Sequence, residues 1–243
     1  MTRVLCIIQA RMGSERLPGK VLKPINAIPM LGCQLSRLHP LNENVDLVVA
    51  TTELANDQAI VDFCNEQNRA VYCGNETNVL QRFYYAAQAR SLSDDDFIIR
   101  LTGDCPLICP ELIASLVGLV QDTKADYGRI DTDTFPRGVD AEVVTFAALQ
   151  EAYNNANSAY EVEHVTPYFY AQGSQFKQVK LTNPYGNHSN YRLCVDEQSD
   201  FDMVEQLVQK LGDNWLTASY LDIIYTLEKN PALVAINAAI EQR

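Results

Sequence analysis

Long apolar runs are missing from this chain. No run approaches the roughly 18 apolar residues that a membrane span requires, and the opening MTRVLCIIQ passes into a strand-like run with no small-residue cleavage site. The expectation is a cytoplasmic protein without a membrane partner. CxxC spacing is also missing: seven cysteines (Cys6, Cys33, Cys64, Cys73, Cys105, Cys109, Cys194) are spread along the chain, mostly in apolar patterns. That usage reads as reduced, buried thiols. Cys105 and Cys109 have no second pair at ligand spacing and the three histidines are scattered, so zinc is not expected. Positive charge is scarce, with 19 Lys plus Arg against 31 Asp plus Glu and a net charge of −12. Such a surface repels nucleic acid and anionic lipid, so a nucleotide would have to be held by local charge and by metal. Repeats, low-complexity tracts and Gly/Ser linkers are absent too. The 243 residues suit one large α/β domain over 1–243, with about 127–190 as a less regular subregion.

What is present begins with VLCIIQARMGSERLPGKVL. Val4, Leu5, Cys6, Ile7 and Ile8 form a short apolar run that reads as a buried strand of a parallel sheet. The loop behind it gathers Arg11, Gly13, Ser14, Arg16, Gly19 and Lys20, three cations and two glycines within ten positions. Glycine lets backbone N–H groups approach an anion while Arg and Lys supply charge, so the loop suits a phosphate group. It is not a Walker A loop, because five residues separate Gly13 from Gly19 and Val21 follows Lys20.

Strand and helix alternate after this loop. Helices are predicted over 30–41, 57–68, 79–92 and 110–122, and strands over 45–52, 70–74 and 97–104. That order argues for a three-layer α/β/α fold around a mostly parallel sheet, whose ligands bind outside the carboxyl ends of the strands. Later, 138–144, 176–183 and 191–196 read as strands, with helices near 145–156, 161–171, 200–211 and 217–228. Two aspartates end strands: Asp104 in LTGDCPLI and Asp196 in RLCVDEQSD. Such a pair can share a hard cation, because Mg²⁺ keeps most of its ligands as water and phosphate.

ARMGSERLPGKVL, residues 10–22, resembles the sugar cytidylyltransferases, a family that includes the CMP-Kdo and CMP-sialate synthetases. It matches every fixed position of their A-R-x-x-S-x-R-L-P-G-K-x-L loop. Further matching segments span nearly the whole chain and look most like the branch of spore coat polysaccharide biosynthesis protein F. The resemblance implies a fold like that of nucleotide-diphospho-sugar transferases, with CTP and a small sugar acceptor as substrates. It also implies transfer of CMP to that sugar, with a 2-keto acid sugar as first choice, and release of pyrophosphate.

It further implies that Arg11, Gly13, Ser14, Arg16 and Lys20 hold the triphosphate. GNETNVLQRFYYA implies that Asn78 and Arg82 lie beside the nucleotide. The family's G-D-x-P-L-I and V-D-T-x-E-D-L segments put Mg²⁺ on Asp104 and Asp196, and make these with Arg11 and Lys20 the catalytic set. Here Glu197-Gln198 replaces part of the second segment and Asp200 takes its later acid. TFPRGVDAEVV and YEVEHVTPYFY resemble the branch's acceptor segments. Arg137, Asp140, Glu142 and His164 have chemistry that suits a sugar: a bidentate donor, acceptors, and a group that can take a proton. The family's habit of pairing, and the aromatics Tyr160, Tyr168, Phe169 and Tyr170, imply a homodimer.

Two other readings stay open. Asp131-Thr132-Asp133 is a DxD of the kind that holds manganese in glycosyltransferases, though it sits outside the expected strand ends, and Asp94-Asp95-Asp96 precedes its strand at the wrong edge. A nucleotide-binding subunit without turnover is the second alternative.

Overall fold

The structure is a computed structural model that describes residues 2–41, 44–171 and 173–240. Its strands are β1 (Val4–Gln9), β2 (Pro24–Ile25), β3 (Ile28–Pro29), β4 (Asp46–Thr52), β5 (Ala70–Gly74), β6 (Phe97–Thr102), β7 (Tyr127–Ile130), β8 (Glu142–Thr145) and β9 (Gln178–Leu181). The helices are α1 (Met30–Arg37), α2 (Gln58–Glu66), α3 (Val79–Gln88), α4 (Pro110–Thr123), α5 (Phe146–Asn155), α6 (Ala159–His164), α7 (Pro167–Tyr170), α8 (Gln198–Leu211), α9 (Tyr220–Lys229) and α10 (Pro231–Asn237).

Seven strands form one sheet in the order β5-β4-β1-β6-β8-β7-β9, and β2 with β3 makes a small separate ribbon. β4, β5 and β6 join the β1 system in parallel, β8 runs antiparallel to both β6 and β7, and β9 is parallel to β7. Only β8 therefore opposes the rest. The carboxyl ends of β1, β4, β5, β6, β7 and β9 share one edge.

Alternation along β1 creates the three layers. Cys6 and Ile8 point to one face, where α1, α2, α4, α8 and α9 bury their apolar residues. Leu5 and Ile7 point to the other, under α3, α5 and α7. Full burial of each such side chain contributes about 1.5–3 kcal/mol, so β1, buried on both faces, sits where the core is densest. The expected layers and mostly parallel sheet are observed.

Four details differ from expectation. The first predicted helix stops at Arg37, whose fully buried guanidinium donates to the carbonyls of Ile108, Trp215 and Ala218, each at 2.8 Å. Three main-chain oxygens thus satisfy a charge that makes no ion pair among the described residues. The strand predicted over 191–196 is an extended segment with a single bridge, Arg137 to Arg192, instead of a ladder. The helix expected over 161–171 breaks into α6 and α7, because Val165 takes φ 68° and Pro167 starts the next turn. β7 and α10 were not expected at all.

Candidate active site

The loop after β1 folds back on itself. Gly19 and Ser14 both donate their N–H to the Met12 carbonyl, at 3.0 and 2.9 Å, and Gly19 takes φ 70° to start the 3₁₀ turn Lys20–Leu22. Asp57, at the N-cap of α2, makes no side-chain cap bond there and accepts instead from Met12 N at 2.6 Å and from the Thr52 hydroxyl. It ties the loop to the end of β4, a positioning role that no motif announced.

Lys20, one of the few buried charges, reaches the centre of the site. Its Nζ donates to the Val195 carbonyl at 2.7 Å and to Asp196 Oδ1 at 2.9 Å, and lies 3.5 Å from Asp104 Oδ2. Burial works against its charge, but Asp104 and then Asp196 outweigh that and hold its pKa above the ordinary lysine value. Asp196 also meets Arg16 at 3.3 Å and Arg192 at 2.8 Å. Burial would raise its pKa, yet the hydrogen bond and charge of Lys20, with the two guanidiniums, hold it below the usual carboxylate range.

The altered turn after Asp196 is intact. Asp200, fully buried, accepts from the backbone N–H groups of Asp196 and Glu197 at 3.0 and 3.1 Å and pairs with Arg192 at 2.9 Å. Glu197 completes a capping box at the start of α8 and holds Arg16 at 2.9 Å, so the replacement adds a partner for the loop. Asn237 of α10 donates to Asp200 Oδ1 at 3.0 Å and to the Arg192 carbonyl at 3.1 Å. The helix absent from the sequence reading thereby braces the carboxylate that was read.

Two cavities meet at Asp104 and Asp196. The first, about 360 Å³, is lined by Arg11, Ser14, Arg16, Lys20 and both aspartates, with Gln9 and Glu163. The second, about 520 Å³, also includes both aspartates and adds Arg137, Asp140, Glu142 and His164. All four expected acceptor residues thus share one wall, and the exposed loop cation Arg11 borders the first cavity without an ion pair among the described residues. A neighbouring cavity of about 300 Å³ contains Arg11, Glu76, Thr77, Val79 and Arg82.

Two expected binding residues take different places. Asn78 spends its side-chain oxygen capping α3, accepting from Gln81 N at 2.8 Å, and does not border these cavities. Gly13 is likewise outside their walls, and a Cβ there would meet nothing within 4 Å. Arg82 is buried, donates to the Asn75 carbonyl at 2.5 Å, and has its pKa pushed down to about 10 by burial and then by Arg11. Arg100, unremarked in the sequence, binds Glu142, which also accepts from the Tyr127 hydroxyl at 2.5 Å. An Arg inside the apolar run FIIRL was its only signal.

The DxD segment does follow a strand, contrary to expectation, since β7 ends at Ile130. Its carboxylates face Lys180 at 3.3 and 3.7 Å. Asp96 is structural, accepting from the N–H groups of Arg3 and Ser93, each at 2.7 Å.

Burial pushes the Asp140 carboxyl up to about 6, with Asp104 and Glu142 adding like charge while Arg137, 3.3 Å away, opposes them. Between about pH 4 and 6 the folded chain then holds a proton that the unfolded chain, with an ordinary Asp pKa near 3.9, has lost, so stability falls as pH rises through that window. Asp140→Asn should flatten the decline. Urea midpoints of both proteins from pH 4 to 6.5 check this, and parallel curves would refute it.

The two carboxylates converge on one point, marked by Lys20 Nζ, and offer hard oxygens only. That donor set suits Mg²⁺ bound jointly with phosphate and water. Among the described residues no group of three or more His, Cys, Asp or Glu could hold a metal alone.

An open α/β sheet with an anion-suited loop and two aspartates, one just past the end of β6 and one closing an extended segment beside it, fits a nucleotide-handling enzyme of the transferase type. A profile of the cytidylyltransferases matches residues 5–222. The chain belongs to the sugar cytidylyltransferase family, on the branch of spore coat polysaccharide biosynthesis protein F. It is 38% identical to the uncharacterized protein MJ1063 of Methanocaldococcus jannaschii, over 99% of this chain and 97% of that one. It is 33% identical to spore coat polysaccharide biosynthesis protein SpsF of Bacillus subtilis, over 95% and 96%. A cytidylyltransferase structure from Leptospira borgpetersenii superposes with a TM-score of 0.90 at 32% identity and covers 100% of both chains.

Proposed function

We propose that the enzyme transfers CMP from CTP to an acidic sugar, in a Mg²⁺-dependent reaction that releases pyrophosphate and feeds surface polysaccharide or glycan biosynthesis. One observation carries the reading: Asp104 and Asp196 wall both the loop cavity and the acceptor pocket, so a phosphate in one and a hydroxyl in the other would meet there. Arg11, Arg16 and Lys20 would hold the triphosphate, and Asp104 with Asp196 the ion. Mg²⁺, when bound, would supply neutralisation of charge at the α-phosphate. The chain's own part is alignment and fixed positive charge opposite an in-line attack. A cytoplasmic setting accords with the seven free cysteines, and among the described residues no helix is long and apolar enough to cross a membrane. A homodimer is proposed on narrower ground than before: Phe169 is fully buried and Tyr168 half-buried, which leaves Tyr160 and Tyr170 exposed.

The test follows the fate of the triphosphate. With Mg²⁺, CTP should stabilise the fold more than the other three triphosphates do, by about 2.7 kcal/mol at 100-fold over its dissociation constant. Pyrophosphate should appear only when an acidic sugar is added. Consumption of a nucleotide-sugar would favour a glycosyltransferase, and CTP binding without pyrophosphate across a broad acceptor panel a binding subunit.

A further inference from the structure

The acceptor pocket contains three arginines, and two are spoken for. Arg100 binds Glu142, and Arg137, expected to meet an acceptor carboxylate, lies against Asp140. The pocket's acids are matched as well: Asp104 by Lys20, and Asp196 by Lys20, Arg16 and Arg192. Arg129 is the exception. It lines the same pocket, is half-buried, and has neither an ion pair nor a side-chain hydrogen bond among the described residues. Its guanidinium carbon sits 5.5 Å from the ring centroid of Tyr170, which also lines the pocket.

We propose that Arg129 is the residue that reads the acceptor's carboxylate. Glu142 stands beside Arg129 in register but spends its oxygens on Arg100 and Tyr127. This half-buried guanidinium, with no ion pair among the described residues, therefore attracts an anion, and stacking on an aromatic face leaves its donor edge open for a bidentate contact. Position supports a ligand the size of one sugar. Arg100, Glu142 and Arg129 stand in a row across β6, β8 and β7 by strand register. Arg129 is thus two strand spacings, about 10 Å, from the strand that leads into Asp104. A sugar lying across β8 with its acid at the far end of the ring, as in a hexuronate, would present its hydroxyl toward the aspartates and its acid toward Arg129. A 2-keto acid carries both groups on one carbon and would need Arg129 to reach inward to that carbon. This assignment rests on the cytidylyl-transfer reading above.

The probes are a 2-ulosonate and a hexuronate, each beside its primary carboxamide, which removes the charge with little change in shape. They distinguish an acid on the attacking carbon from one at the far end of the ring. Binding is measured on enzyme saturated with Mg²⁺ and an α,β-methylene analogue of CTP, and KM and kcat are measured with CTP itself. The unmodified enzyme should prefer one of the two acids to its amide by about 100-fold, as a charge-assisted bidentate contact allows. Arg129→Gln should erase that preference through acceptor KM while leaving CTP binding intact, and Arg129→Lys should restore part of it. Arg137→Gln should keep the preference, whatever happens to its rate. Acid preference that survives Arg129→Gln, or no preference in the unmodified enzyme, overturns the assignment but leaves CMP transfer standing. CTP-dependent stabilisation, followed in every variant, reports folding. Its absence from the unmodified enzyme would defeat the cytidylyl reading and Arg129 with it.

Discussion

Asp104→Asn is expected to lower pyrophosphate release by about three orders of magnitude, the scale seen when a preorganised charge is removed from a transition state, while the melting temperature hardly changes. Asp104 meets one cation, Lys20, at 3.5 Å, so the fold depends little on its charge. Asp196→Asn should lower the rate as far and also lower the melting temperature. That aspartate is shared by Lys20, Arg16 and Arg192, and two of these cations are almost fully buried. Removing that charge still leaves Lys20 with Asp104 and Arg192 with Asp200, so the cost falls short of the roughly 3–5 kcal/mol of a buried charge left with no partner. Initial rates and thermal unfolding of both variants separate the two effects. Full activity in both would show that the carboxylates are not the ion's ligands.

Gly138→Ala should be among the most damaging single substitutions in the chain. Gly138 takes φ 103°, and a Cβ built on it would stand 2.2 Å from the Cys194 nitrogen and 2.3 Å from the Leu193 carbonyl carbon. Those atoms belong to main chain held by Leu193 N to the Arg137 carbonyl at 2.7 Å and Val195 N to the Asp104 carbonyl at 2.8 Å. They cannot move without moving Asp196. Gly186→Ala is the control, because Gly186 has a similar φ of 115° but its Cβ would meet only His188, 3.9 Å away. Backbone strain of this kind costs about 1–3 kcal/mol by itself, so the control should fold and turn over while Gly138→Ala loses both stability and activity. Equal losses would show that the collision is harmless.

The sequence made the β1, β4, β5 and β6 half of the sheet legible because each strand there is a mostly apolar run and each helix has its own apolar face. β7 escaped because YGRI breaks its run with a glycine. Gly128 is required there, since a Cβ would lie 2.4 Å from Val120 of α4. The residues 191–196 looked like a strand for the opposite reason: Leu193 and Val195 are fully buried, but against the ends of other elements and with no ladder beside them. In the site, Lys20 and Asp196 were recognisable from motif, and Asp104 from motif and from its place just past β6. Asp57, Arg192 and Asn237 were not, because each acts by a hydrogen bond to a residue distant in sequence or in a turn whose shape residue types alone do not fix. Arg137 lines the expected pocket, and its ion pair with Asp140, three positions away, was not legible because spacing alone does not fix whether two such side chains meet.

β8, the one strand that opposes the rest, has a consequence for assembly. β7 and β9 touch the central strands only through β8, so neither can add to the sheet until β8 has docked on β6. The half built on β1, β4, β5 and β6 can persist while β8, β7 and β9 open, and the reverse order is barred by connectivity. Two cooperative units of different stability follow. Amide protons of β1 and β4 should outlast those of β7 and β9 in native-state exchange, and uniform protection across all seven strands would show that the sheet opens as one. Such a hierarchy would let the β7–β9 half tolerate substitutions at little cost to the stability of the β1-centred half.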